Sequence, residues 1–135
     1  MIAVDTSAMI AILGAEPDAR AFVESAGSEE AVFMSAGTAI ELNIVARAKW
    51  GEDRTQRLEA LLFELVVTIV SVDEVQVRLA CEGYRRFGRS SGNRAKLNYG
   101  DCFSDALARS LDAPLLYRGD DLVHTDVRSA LESLS

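Results

Sequence analysis

The chain has 135 residues, 49% of them hydrophobic and 26% charged, with 21 acids against 14 bases and a formal net charge of −7. That is the composition of one globular domain able to bury roughly two thirds of its unfolded surface, and it calls for no linker or second domain. The apolar opening is interrupted by Asp5 and is far shorter than the about 20 residues of a membrane span, so the sequence predicts a soluble, cytoplasmic protein without membrane contact.

Ile2-Ala3-Val4 reads as a strand ending in Asp5, after which Thr6 and Ser7 open a helix to Leu13. A second helix starts near Pro17, runs to about Ser25 and is broken by Gly27-Ser28. Ala31 to Ser35 is a short strand. Gly37 to Trp50 is a helix with apolar Ile40, Ile44, Val45 and Ala48, ended by Gly51. Another spans Asp53 to Leu65 on a stripe of Leu58, Leu61, Leu62 and Leu65. Val66 to Val70, β-branched and uncharged, has the composition of a buried parallel strand. Asp73 to Phe87 is helical, Gly88 to Asn93 is loop, and Asn98 caps a helix from Tyr99 to Leu111. A strand at Leu115 to Tyr117 and a short helix around Arg128 to Leu134 close the chain. Strands alternating with helices predict an α/β fold with a central parallel sheet and right-handed crossovers.

The functional groups narrow the chemistry. Cys81 and Cys102 form no CxxC and have no histidine beside them, so they read as helix-packing residues and not as zinc ligands. His124, the single histidine, lies in a polar stretch and gives weak support to a histidine-centred triad. Net acidity is awkward for a protein that approaches a phosphate backbone. Yet Arg78, Arg85, Arg86, Arg89, Arg94 and Lys96 gather in one segment, which is either a local basic face or a solvated helix face and loop.

Acidic residues carry the stronger signal. Asp5 ends the first strand, and Asp120 and Asp121 follow the last, where open parallel sheets place their ligand crevice. Glu41 has Gly37, Ile44, Val45 and Ala48 as its helical neighbours, which puts a carboxylate on an apolar stripe. A buried charge needs a cation, a hydrogen-bond network or a proton. Asp101 falls in the first turn of its helix, with Asp105 one turn later on the same face. Such a like-charge pair costs roughly 0.2 to 0.5 kcal/mol unless neutralised. Two carboxylates about 4 Å apart repel by roughly 4 kcal/mol at an effective dielectric of 20, so several of them converge only around cations or with raised pKa values. Oxygen-only ligands suit Mg²⁺ or Mn²⁺, and such a site serves hydrolysis of a phosphodiester.

With IAVDTSAMIAIL at the start, the Glu41 helix, LNYGDCFSDALA, and PLLYRGDDLVHTDV near the end, the chain resembles a PIN-domain ribonuclease, and within that group a VapC-type toxin of a type II toxin-antitoxin system. The likeness runs over essentially the whole chain, as a single domain spanning 1–135. It implies a three-layer α/β/α fold, a Mg²⁺-dependent endoribonuclease acting on tRNA or another structured RNA, a homodimer, and inhibition by a cognate antitoxin that places an arginine against the acidic pocket. Carried over residue by residue, Asp5, Glu41 and Asp101 become the catalytic, metal-binding acids, and Gly119-Asp120-Asp121-Leu122 matches the family's G-x-D-F pattern. That points to Asp121 as the fourth acid with Asp120 assisting, and Leu122 replaces the usual phenylalanine. Thr6 or Ser7 would orient Asp5 or its waters. Asp105 stands where an uncharged residue is expected, so it extends the acidic site or faces solvent. Arg89, Arg94 and Lys96 could hold the RNA backbone.

Other classes fit less well. An aspartyl-phosphate enzyme of haloacid-dehalogenase type needs a second Asp where Ser7 stands, and a receiver needs a lysine after a late strand, whereas the only lysines are Lys49 and Lys96. The remaining rivals are a PIN-fold RNA-processing nuclease and a catalytically silent RNA-binding or scaffold protein.

Overall fold

A computed structural model describes residues 1–89, 91–92, 95–119, 122–123 and 125–131. In chain order the elements are β1 (Ile2–Val4), α1 (Thr6–Leu13), α2 (Ala19–Gly27), β2 (Val32–Ser35), α3 (Ala36–Trp50), α4 (Glu52–Glu64), β3 (Val67–Val70), α5 (Glu74–Phe87), α6 (Tyr99–Leu111) and β4 (Leu115–Leu116). The strands form one parallel sheet in the order β3-β2-β1-β4.

Side chains of a strand alternate between faces, and β1 shows what that produces here. Ile2 and Val4 enter a core with Met9 and Leu13 of α1, Phe22 of α2, Leu42 of α3 and Leu58 of α4. Ala3 enters a second core with Phe87 of α5, Leu107 and Ala108 of α6, and Leu115. Helices thus cover both faces of the sheet, which is the expected three-layer α/β/α arrangement. All three β1 residues are buried, so the residue that follows them is delivered to a fixed point at the carboxyl end of the sheet.

Three local expectations are corrected. Val67–Val70 is parallel but not buried: it lies at the sheet edge, and Thr68 and Ile69 are exposed. Composition alone cannot tell an edge strand from a central one. On α3 the buried stripe is Thr38, Leu42 and Ala46, whereas Ile40 and Ile44 are 63% and 62% exposed. The helix carries two apolar stripes, and the core takes the one that periodicity did not single out. Finally, Arg128–Leu131 is not helical; Ser129 pairs with Leu115 in a parallel bridge, and Ala130 N–H donates to Leu115 O. Among the described residues no helix is long and apolar enough to cross a membrane.

Candidate active site

Asp5 is both the last extended residue after β1 and the N-cap of α1. Its backbone N–H donates to Leu116 O of β4, which ties it to the next strand. The carboxylate is buried and accepts three hydrogen bonds: from Ser7 N–H (3.1 Å) and Ser7 Oγ–H (2.6 Å) on Oδ2, and from Ser104 Oγ–H (2.6 Å) on Oδ1. Charge-assisted bonds of this kind are short and fix orientation. Ser7 Oγ in turn accepts from Arg118 N–H at 2.9 Å, which brings the segment after β4 against α1.

Glu41 is partly buried on α3, not enclosed by the apolar stripe that suggested its role. It reaches across to α1, where Thr6 Oγ–H donates to Glu41 Oε1 at 2.6 Å. Its other end lies over the backbone of Gly100, and a Cβ at that position would overlap the Glu41 carboxylate. Glycine at 100 therefore makes room for the acid. Asp101 is the next residue, and it forms a capping box with Asn98: Asp101 N–H donates to Asn98 Oδ1 (2.9 Å) and Asn98 N–H to Asp101 Oδ2 (3.0 Å). Thr6 thus joins Glu41 to the turn that follows Asp5, and Gly100, which lies against Glu41, directly precedes Asp101, so the three acids stand on elements that pack together at the carboxyl end of the sheet. Asp120, Asp121 and His124 lie outside the described residues.

The donors facing this cleft are all oxygen, which fits a hard divalent cation. Thiol chemistry is disfavoured: burial, and then the Asp105 and Asp101 carboxylates, push the Cys102 thiol up to about 11, so it stays protonated. Among the described residues no three acid, histidine or cysteine side chains stand close enough to hold a metal unaided. An open arrangement suits Mg²⁺, which keeps several waters and is held by one or two carboxylates together with substrate phosphates.

Asp105 does not face solvent. It is 1% exposed and turned toward α5, where a Cβ on Gly83 would lie 2.6 Å from its Oδ2. Arg109 Nη1 is 3.6 Å away, an ion pair too long for a hydrogen bond, and neither Asp105 oxygen accepts one among the described residues. Burial outweighs the Arg109 guanidinium and pushes the carboxyl up to about 6.

The basic segment divides in two. On α5, Arg78 pairs with Glu74, and Arg86 pairs with Glu82 and Asp126. In the loop that leads into α6, Arg89 and Lys96 are exposed and form no ion pair among the described residues; Arg94 lies outside them. Arg118 pairs with Asp18 at 3.0 Å. Sequence reasoning missed Ser104, Thr38 and the role of Gly100. The available signal was helical spacing, since Ser104 follows Asp101 by three residues and Thr38 precedes Glu41 by three.

The sequence matches the PIN domain over residues 2–128. It is 39% identical over 127 residues to Ribonuclease VapC42 of Mycobacterium tuberculosis, covering 94% of this chain and 97% of that protein. It is 41% identical over 129 residues to Ribonuclease VapC28 of the same organism, covering 96% and 97%. Among solved structures it resembles VapC20 of Mycobacterium tuberculosis, a sarcin-ricin loop cleaving toxin, with a TM-score of 0.73 and 19% identity over 95% of this chain and 99% of that one. It also resembles VapBC2 from Rickettsia felis bound to a DNA fragment from their promoter, with a TM-score of 0.73 and 14% identity over 96% of each chain. At such identities the structural likeness speaks for the fold alone.

Two substitutions test this geometry. Gly100→Ala should keep or raise the thermal midpoint, because alanine favours a helix by up to about 1 kcal/mol, yet it should lower nuclease activity at least ~10-fold by displacing Glu41; full activity would disprove the Glu41 placement. For Asp105, a folded pKa raised above the unfolded 3.8 is a penalty that is absent below pH 3.8, grows with pH and is complete above about 6, reaching roughly 3 kcal/mol. Asp105→Asn removes it while Arg109 keeps Glu82 nearby at 3.7 Å. Calorimetry should find the variant more stable than the parent at pH 7, with the gain vanishing near pH 4; a gain independent of pH would refute a buried ionised Asp105.

Proposed function

We propose, for a chain that belongs to the PIN-domain family and within it to the VapC ribonucleases, that it is the endoribonuclease toxin of a toxin-antitoxin pair. It hydrolyses phosphodiester bonds in tRNA or another structured RNA in the cytoplasm. What supports the reading is the Thr6 bond to Glu41 beside Asp5, together with the seat that Gly100, next to Asp101, leaves for the Glu41 carboxylate. Asp5, Glu41 and Asp101 would hold Mg²⁺, for which Mn²⁺ can substitute, with Asp121 and Asp120 as further acids.

When bound, that cation supplies a water of lowered pKa and charge stabilisation for an in-line displacement. The chain's own groups do the rest. Ser7 and Ser104 hold Asp5, Thr6 holds Glu41, and the capping box holds Asp101. Arg89 and Lys96, exposed in the segment that leads into α6, would hold the RNA backbone, and Arg94 of the same segment of sequence would add a further positive charge. A small basic antitoxin segment is the natural inhibitor of so acidic a cleft.

The partner for self-association is a second copy, docked on the apolar face shared by α3, α5 and α6. Ile40 and Ile44 line a hollow with Tyr99 and Phe103, and the same two aromatics continue it to Ala80, Cys81 and Tyr84. Glu41 also lines the hollow, but the other named residues are uncharged on a chain of net charge −7, so two copies would meet there mainly through apolar contact.

Cleavage of a pool of tRNA and other structured RNA is the direct test, run with Mg²⁺ or Mn²⁺, with EDTA, and with Asp101→Asn. Asparagine still accepts the Asn98 bond, so the cap survives; discrete metal-dependent cuts lost in the variant are expected, and metal-independent or undiminished cutting would refute the reading. For the dimer, Ile44→Asp should convert it to monomer in light scattering while keeping the circular-dichroism spectrum of the folded parent. An unchanged mass would remove this face as the interface.

A further inference from the structure

We propose that Ser104, backed by Thr38, is a positioning residue for Asp5, holding the carboxylate so that a single lone pair is left open to the cleft. The inference rests on the reading of Asp5 as a metal-binding acid. An ionised carboxylate only accepts, at about four lone-pair sites. Ser7 occupies both sites on Oδ2 with its N–H and Oγ–H, and Ser104 occupies one on Oδ1. One site therefore remains, on Oδ1.

Donor counting also fixes the direction of the next bond. Ser104 Oγ and Thr38 Oγ1 are 3.1 Å apart and either could donate, but a hydroxyl has one proton. The Ser104 proton goes to Asp5, so Thr38 must donate to Ser104. The chain of donors runs from α3 through α6 to the end of β1, linking the three elements that bear Glu41, Asp101 and Asp5. Thr38, Ser104 and Asp5 are 0%, 1% and 3% exposed, and at low local dielectric each bond strengthens the next.

Neither hydroxyl is favoured by its local setting. Serine and threonine are weaker helix formers than alanine, and a buried hydroxyl without a partner is destabilising. Asp5 accepts the Ser104 proton, and Ser104 Oγ accepts the Thr38 proton. With Ser104 removed, the carboxylate is anchored through Ser7 alone, and its Oδ1 is free to swing before a cation arrives.

The experiment measures Mn²⁺ affinity from the paramagnetic resonance signal of the free ion, with a thermal midpoint for each protein. Ser104→Ala is expected to weaken Mn²⁺ binding roughly 10-fold to 100-fold, the range for groups that orient a metal ligand, with the fold retained. Thr38→Val should weaken it several-fold, and Thr38→Ser, which keeps the donor, should restore it. Asp5→Asn should abolish it. Loss of binding in Asp5→Asn alongside affinity within about two-fold of the parent in Ser104→Ala would overturn the relay and leave the metal-site reading standing. Parent-like binding by Asp5→Asn, or no binding by the parent, would overturn the metal-site reading itself.

Discussion

The Asp5 carboxylate is nearly sealed from water at the end of a strand buried on both faces, and the surrounding elements are placed by the need to satisfy it. Burying an anion is unfavourable unless donors replace its hydration, and here they come from α1 and α6, with Thr38 of α3 behind. Because Ser104 must reach Asp5, the first turns of α6 are held over the end of β1. That same placement puts Gly100 beneath Glu41 and Asp101 beside it. The Arg118 N–H bond to Ser7 then draws in the segment after β4.

Electrostatics is handled differently at the two buried acids. Asp5 receives three hydrogen bonds at the cleft, whereas Asp105 receives none among the described residues and relies on an ion pair with Arg109. The first arrangement presents a fixed oxygen to a ligand. The second places a buried carboxyl between α5 and α6, beside Arg109. Repulsion among the cleft acids is limited by their spread over three elements, each held by its own donor, so that no closed cage forms among the described residues. Under the proposed function, a cation and a phosphate would complete the set together.

Local signals in the sequence were sufficient wherever chemistry is local. Asp5 before Thr6-Ser7, and Asn98 three residues before Asp101, announce a cap and a capping box from spacing alone. For Glu41 the premise of an enclosing apolar stripe does not hold. The stripe of Ile40 and Ile44 is apolar because it faces outward beside an aromatic pair, not because it is core. Periodicity reports that a face is apolar and not what covers it. Asp105 was ambiguous for the same reason, since helical spacing from Asp101 does not reveal that α5 closes over it at Gly83. Ser104 and Thr38 looked unremarkable because their partner is distant in sequence, and the placement of Val67–Val70 at the edge depends on strand order, which no local pattern encodes.

The bonds that orient the cleft join residues 99 and 111 positions apart, Ser104 to Asp5 and Arg118 to Ser7. An amino-terminal fragment that stops short of α6 contains Asp5 and Glu41 but lacks the serine, the glycine seat and Asp101. During synthesis, a cleft built this way would stay incomplete until α6 and β4 have emerged and docked. A chain stopped before them would lack the donors that orient Asp5, so the cleft is assembled by the closing of distant halves of the chain on each other.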